Sequence, residues 1–290
     1  MVATHAAAPS AALFWVDGTW HDRPPMLLSP ADHAFWQSSV VFDGARAIAG
    51  CAPDLQLHCA RAVRSATALG LHPAITGPEI AQLAIAGIKR FAPDAVLYIK
   101  PVFYGTGPGY DLSQVQTQFV LHMMEAPLDP ASGFSATMSP LRRPASTMAP
   151  TDAKAAALYP NSSRATTEAG ARGFDAAVMR DPDGNIAEFA FANLWIAKNG
   201  VALTPAENGT FLAGITRRRV MGLLNEAGIE AREAVLTEQD LHDADEIFST
   251  GNYNKVVPCT RFEQRQMNAG PIATRARQLY FDWMQATQKV

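Results

Sequence analysis

Asp152-Ala-Lys154-Ala-Ala-Ala-Leu-Tyr159 sets a lysine in an alanine-rich stretch, with a tyrosine five residues on. Downstream come Gly184-Asn-Ile-Ala-Glu188-Phe-Ala-Phe-Ala-Asn193-Leu-Trp, then Leu203-Thr-Pro205, then Phe211-Leu212-Ala-Gly214-Ile215-Thr216-Arg217. In chemical terms this is an amine able to form an imine, a phenol, a carboxylate able to hold a cationic ring nitrogen, and backbone amides for a phosphate. Most lysines are solvated. Lys154 is set apart by the alanines and Tyr159 that follow it, little of which reads as charged surface.

Glu188 follows the Asp183-Gly184 turn by a short strand, among Ile186, Phe189, Ala190 and Phe191. A carboxylate buried there without a cationic partner is costly. The position therefore reads either as an edge-strand glutamate facing water or as a carboxylate with a cation to hold. Gly214-Ile215-Thr216 precedes the helical run from Arg217 to Leu224, which presents a helix N-terminus to an anion, with Thr216 near its cap. Ser249-Thr-Gly251-Asn252-Tyr253 leaves an apolar strand and offers more donors. Arg61, in His58-Cys-Ala-Arg61, offers a guanidinium.

Working outward, 290 residues allow two domains, at roughly 150 residues each. A hydrophobic content of 48% and a charged fraction of 18% are ordinary for a globular enzyme. A net charge of -3 argues against a nucleic-acid binder. The one dense basic cluster, Arg217-Arg218-Arg219, lies along a helix, where its members point in different directions. Cys51, Cys59 and Cys259 form neither a ligand pattern nor a disulfide framework, which suggests reduced thiols and a cytoplasmic home. No apolar run approaches 18 residues, so no membrane span is expected. The first fourteen residues lack the layout of a signal peptide, and the first ten read as a tail. His33, His58, His72, His122 and His242 are scattered, and no metal site is expected.

The chain then reads as an α+β molecule. Phe14-Trp-Val-Asp17-Gly18-Thr-Trp20 has the pattern of a hairpin. Ser39 to Ile48 is strand-like around Asp43-Gly44. Leu55 to Leu71 and Gly77 to Phe91 have helical spacing. Strands are expected over 95–104 and 117–124, and again near Ala176–Met179, Asn193–Lys198 and Glu246–Ser249. Helices are expected near Thr216–Ala227 and Thr274–Gln285. The Pro- and Gly-rich Glu125–Gly133 marks a linker. This gives a smaller N-terminal, sandwich-like α/β domain over 1–124, a linker over 125–136, and a larger strand-rich domain over 137–290. Glu168, Asp245 and Glu246 are expected on element surfaces. Gly105-Thr-Gly107-Pro-Gly109 does not open a helix after a Rossmann strand, so it reads as a flexible active-site loop rather than a nucleotide cradle.

An imine-forming amine, a phenol, a ring-nitrogen carboxylate and a phosphate cup are what pyridoxal phosphate (PLP) needs from a protein. In this order and spacing the residues resemble the class IV (fold type IV) PLP-dependent aminotransferases, the family of branched-chain and D-amino-acid aminotransferases. The resemblance runs from Phe14 to about Pro258. Its most specific parts are Glu188-x4-Asn193-Leu, Leu203-Thr-Pro205, Leu212-x-Gly214-Ile-Thr216-Arg217 and Ala244-Asp-Glu-Ile-Phe-x-x-Gly251. It implies that Lys154 forms the Schiff base and shuttles the proton, Tyr159 meets the cofactor's phenolic oxygen, and Glu188 pairs with the ring nitrogen. It implies Arg61, Ile215 and Thr216 at the phosphate and Leu212 against the ring. Asn193, Gly214, Gly251 and Asn252 join the cofactor-binding set. It further implies a homodimer, with the active site between the two domains and completed by a loop from the neighbouring subunit.

The departures concern substrate. The last loop, usually Gly-Thr-Ala in branched-chain enzymes, reads Gly251-Asn252-Tyr253. The usual Tyr-Ile-Arg-Pro reads Tyr98-Ile-Lys100-Pro101, a point cation in place of a bidentate fork. Gln37 and Ser38 replace a usual tyrosine and glycine, while Phe42 and Arg46 keep the branched-chain pattern. The expected substrate residues are Phe42, Arg46, Tyr98, Lys100, Asn252 and Tyr253. The activity so implied is ping-pong transfer of an amino group from an amino acid, a branched-chain L-amino acid first, to a 2-oxo acid. A transaminase of D-amino acids or (R)-amines is the nearest alternative, and aminodeoxychorismate lyase is the alternative from another reaction class.

Overall fold

The computed structural model describes residues 11–290; the tail expected over the first ten lies outside them. The described residues divide into two compact units. One holds 11–128 with Asp152–Leu158 and Met284–Val290; the other holds Asp129–Thr151 with Tyr159–Trp283. Asp152–Leu158 joins the first unit because Ala155 bridges to Val41 and the Lys154 carbonyl accepts from Phe42 N at 3.1 Å. The last residues join it because Cys51 bridges to Lys289 and Gln288 O accepts from Ala52 N at 2.8 Å.

In the first unit β1 (Ala12–Val16) and β2 (Thr19–His21) make the expected hairpin. Asp17 and Gly18 both take positive φ, 47° and 83°, the turn whose twist matches the strands it joins. After α1 (His33–Gln37), β3 (Val40–Phe42) and β4 (Ala45–Ile48) lie end to end along β5 (Val96–Thr106). The break at Asp43-Gly44 falls beside Pro101, which has no N–H for the ladder; Asp43 N donates to its carbonyl at 3.0 Å. α2 (Leu55–Ala68) and α3 (Gly77–Ile88) follow, then β6 (Gln116–Glu125). A reciprocal Thr76–Glu79 box caps α3. Among the described residues the sheet order is β2-β1-β6-β5-β3, with β4 also on β5. Small residues on the helices (Cys59, Ala62, Ala66, Ala81, Ala84) bring them close onto Ala47, Leu97, Ile99 and Met123.

In the second unit β7 (Phe134–Arg142), α4 (Tyr159–Ala171) and β8 (Ala176–Arg180) place two parallel strands side by side. β9 (Ile186–Phe189), β10 (Asn193–Lys198), β11 (Val201–Pro205), α5 (Ile215–Glu226), β12 (Ala231–Ala234), α6 (Glu238–Asp243), β13 (Glu246–Gly251), β14 (Lys255–Phe262), β15 (Arg265–Gln266) and α7 (Pro271–Thr287) follow. The order is β12-β11-β10-β13-β14-β7-β8-β9, with β15 on β14. Alternation sorts the side chains: Leu194, Ile196, Ile247 and Cys259 fill one face. Trp195, Ala197, Phe248 and Val256 pack on the other under Val220 and Leu224 of α5 and Ala276 and Tyr280 of α7. Strands buried on both faces read as near-continuous apolar runs. The molecule is α+β throughout.

Glu246 corrects an expectation. It is buried rather than on a surface, and its two carboxylate oxygens accept from Ile272 N at 3.0 Å and Ala273 N at 2.8 Å. A charged strand residue thus satisfies the unpaired amides that open α7.

Candidate active site

The sequence-predicted residues fall into two sets, one on each unit. In the second unit every residue of β9 is buried, Glu188 included, at 8% exposure. Its cation is Arg143, which the sequence reading missed: Arg143 Nε lies 3.3 Å from Glu188 Oε1. Arg143 is itself buried, and it donates to Thr210 O and Ser162 Oγ. The only clue in sequence was the arginine pair closing β7, Arg142-Arg143-Pro144, where one member faces inward. Asn193 Nδ2 donates to Glu188 Oε2 and to Leu212 O, both at 3.3 Å. It thereby ties the carboxylate to the loop that carries Leu212 and Gly214.

Gly214 is the N-cap of α5, so the cap lies two residues before Thr216, and no side chain caps the helix. A Cβ at Gly214 would stand 1.8 Å from Asn193 Oδ1; only glycine lets the loop lie on that carboxamide. Ile215 and Thr216 open the helix and are buried. Arg217 is 1% exposed and donates to Thr204 Oγ1 (3.0 Å), Pro205 O (2.7 Å) and Glu207 (3.1 Å), and pairs with Glu233 at 2.9 Å. Thr204 Oγ1 in turn donates to Leu194 O at 2.7 Å. The Thr-Pro and Gly-Ile-Thr-Arg motifs are one clamp that holds the start of α5 to β11. As expected, the arginine triplet points different ways: Arg217 is buried and Arg218 exposed. Tyr159 opens α4 with its ring 5.8 Å from that of Phe191. Gly251 ends β13, Asn252 follows it, and Tyr253 is half-exposed at the loop tip.

In the first unit Lys154 is gripped by its backbone. Its N–H donates to Ser65 Oγ at 3.1 Å and its carbonyl accepts from Phe42 N. Ala153 and Ala155 on either side are buried, and Lys154 Nζ stands 5.3 Å from the centre of the Phe42 ring. Ser65, also missed, shares one face of α2 with His58 and Arg61, a spacing of three and four residues. Asp43 is the third residue the sequence did not mark. It accepts from Arg61 through both oxygens, at 2.6 and 2.9 Å, and meets His58 Nδ1 at 2.8 Å. Burial pushes the Asp43 carboxyl up, but Arg61 and then His58 outweigh it and hold it well below the usual carboxylate range.

Of the expected substrate residues, Arg46 is wholly buried. It donates to Ala126 O and lies 5.7 Å over the Tyr98 ring, so it supports Tyr98 from behind. The Tyr98 hydroxyl packs on Gly44, where a Cβ would stand 2.1 Å from it. Lys100 Nζ is 5.8 Å from the Phe42 ring and 5.9 Å from the Tyr98 ring. Burial lowers its pKa from the ordinary lysine value.

The family profile for amino-transferase class IV matches residues 40–262. The branched-chain-amino-acid aminotransferase of Pseudomonas aeruginosa is 31% identical over 289 residues, covering 93% of this chain and 92% of that one. Among solved structures, an aminotransferase from Brucella abortus bound to the cofactor PLP is 43% identical, with a TM-score of 0.91 over 95% of this chain and 99% of that one. A branched-chain aminotransferase from Thermoproteus uzoniensis with norvaline is 28% identical, with a TM-score of 0.88 over 96% of each chain. A match across most of the chain, on a fold whose motifs lock together as described, means that this protein belongs to the class IV aminotransferases, PLP-dependent transaminases of fold type IV.

Proposed function

We propose that the protein moves an amino group from a branched-chain L-amino acid to a 2-oxo acid by a ping-pong sequence. The observation that carries the reading is the buried Glu188 carboxylate, already charge-paired by Arg143 and tied by Asn193 to the Gly214 loop. The residues fit the cofactor: an anion for a ring cation, a helix opening at a glycine whose first amides no side chain caps, and an enclosed Asn252 Nδ2 with no hydrogen-bond acceptor. The name of the Pseudomonas relative and the norvaline in the Thermoproteus structure support an aliphatic donor, as does the Phe42 ring beside Lys154 Nζ.

Bound PLP supplies an aldehyde for the amino group and a ring that takes up the electron pair left at Cα. Lys154 Nζ is the base that accepts the Cα proton of the donor, and its backbone grip between Phe42 and Ser65 fixes where the amine starts. Glu188 would hold a proton on the ring nitrogen, with Arg143 pairing its carboxylate from the protein side. Tyr159 donates to the ring's phenolic oxygen, and Leu212 packs on the ring. Arg61, oriented by Asp43, and the Ile215 and Thr216 amides hold the phosphate, with Gly251 and Asn252 alongside. Phe42, Tyr98 and Tyr253 form apolar walls, and Lys100 meets the substrate carboxylate. The same reading includes a homodimer in the cytoplasm. The exposed Phe35, Trp36 and Tyr110, the last two edge to face at 5.0 Å, make a surface suited to a second copy.

The test adds L-leucine, D-alanine or an (R)-arylethylamine, without acceptor, to the PLP-loaded protein and follows its visible absorbance. Loss of the band with L-leucine and formation of the 2-oxo acid are expected. Conversion by D-alanine or the amine alone would overturn the donor assignment. Pyruvate released from an aromatic substrate with no acceptor would make the enzyme a lyase.

A further inference from the structure

The β13–β14 hairpin has an unusual closing residue. Gly251 pairs with Lys255, so residues 252–254 form a three-residue loop. The residue that closes such a loop is left-handed and commonly glycine; here it is Lys255, at φ 66°. Lys255 is also 1% exposed, a position lysine rarely takes. Its Nζ lies 2.6 Å from Asn252 Oδ1 and 5.3 Å over the Tyr280 ring.

An ammonium only donates, so the Asn252 carboxamide must turn its oxygen toward Lys255. That fixes the amino group at the opposite end. Nδ2 is enclosed there with no acceptor, and so is the hydroxyl of Thr166. Gly251, Asn252, Tyr253, Lys255 and Thr166 all line one cavity of about 480 Å³ in the second unit. An enclosed donor without an acceptor destabilises the fold, as do a buried ammonium and a left-handed lysine. Three unfavourable features converge on the orientation of one carboxamide. We propose that Lys255 is a positioning residue that keeps the Asn252 N–H2 in reserve for an anionic oxygen binding at the Gly251–Asn252 turn. That oxygen belongs either to the cofactor phosphate or to the substrate carboxylate. The inference rests on the functional reading above and adds to it a residue that the family motifs do not mark.

Asn252→Asp is the decisive variant. It retains the oxygen that Lys255 holds and replaces the amino group with a second oxygen, so the fold keeps or gains stability while the anion site loses its donor. Lys255→Met removes the hold from the other side. Two quantities are read on the holoenzyme: PLP retention under dialysis, and KM against kcat for L-leucine beside a donor amine lacking a carboxylate. If the oxygen is phosphate, both variants weaken PLP retention about tenfold, and the double variant weakens it no further. If it is carboxylate, PLP retention is unchanged and KM for L-leucine rises about tenfold at constant kcat, while the amine is unaffected. An Asn252→Asp or a Lys255→Met protein with wild-type PLP retention and wild-type KM overturns the inference, as does strict additivity of two variants that each have an effect alone. Wild-type protein that takes up no PLP overturns the functional reading itself, and the inference with it.

Discussion

Arg143 and Glu188 are both buried, so neither can be removed quietly. Arg143→Ala leaves a carboxylate in low dielectric without its cation, and breaking a buried pair from one side costs about 3–5 kcal/mol. The expected outcome is a urea midpoint lowered accordingly, together with weaker PLP uptake. Glu188→Gln keeps the shape and the Asn193 contact but gives up the anion. It should bind PLP near normally and slow Cα proton removal about 10²–10⁴-fold in single-turnover stopped flow; an unchanged rate would remove Glu188 from the ring nitrogen. Asp43 makes a pH prediction. Its folded pKa lies below its unfolded value near 4, so its stabilisation is full above about pH 4 and is lost as pH falls toward the folded value. Thermal melts at falling pH should show wild type losing stability below about pH 4, and Asp43→Asn, less stable at neutral pH, losing less. Arg143, Asp43 and Ser65 were not legible in the sequence because each acts through a partner brought close only by the fold: Arg143 is 45 residues from Glu188, and Lys154 is 89 from Ser65.

The start of α5 depends on Gly214. Gly214→Ala puts a methyl into the Asn193 carboxamide, so the loop and the first amides of the helix must shift. PLP retention should fall at least tenfold while circular dichroism of the folded protein stays the same, because the Arg217 clamp still holds the helix to β11. On β6, His122 stacks on Phe14 at 4.5 Å and sits opposite Lys100 in the ladder. Burial, then the Lys100 charge, drops its pKa to about 4. Between that value and the unfolded one near 6.5 the unfolded chain binds the extra proton, so stability falls as pH drops through this window. His122→Phe should flatten that part of the profile. Helices and strands themselves were readable: the helical spacing over Leu55 to Leu71, the Asp17-Gly18 turn and the apolar runs of β10 and β13 all place their elements within a few residues. What periodicity misses is a polar residue used inward. Glu246 has the composition of a strand surface and the task of a helix cap, and only the packing of α7 over β13 tells the two apart.

No helix among the described residues is long and apolar enough to cross a membrane. The exposed rings of Phe35 and Trp36 on α1 and of Tyr110 are the surface on which the proposed homodimer depends. Analytical ultracentrifugation should give twice the 31.2 kDa chain mass, and Trp36→Glu should shift the population toward single chains; a wild-type monomer with full activity would end the dimer proposal. The sequence suggests a clean cut in the Pro-rich stretch after Glu125, yet Asp152–Leu158 and Met284–Val290 belong with the residues before it. Ala153 and Ala155 lie in that unit's core, and Gln288 and Lys289 pair with its backbone. The chain therefore cannot be divided into halves that fold alone. Expressed by itself, 1–128 would carry an open seam beside Val41 and should aggregate. Co-expressed with 129–290, it should be rescued by capturing Asp152–Leu158 and Met284–Val290 from the other fragment, which makes the region after Leu128 a natural split point for a complementation reporter.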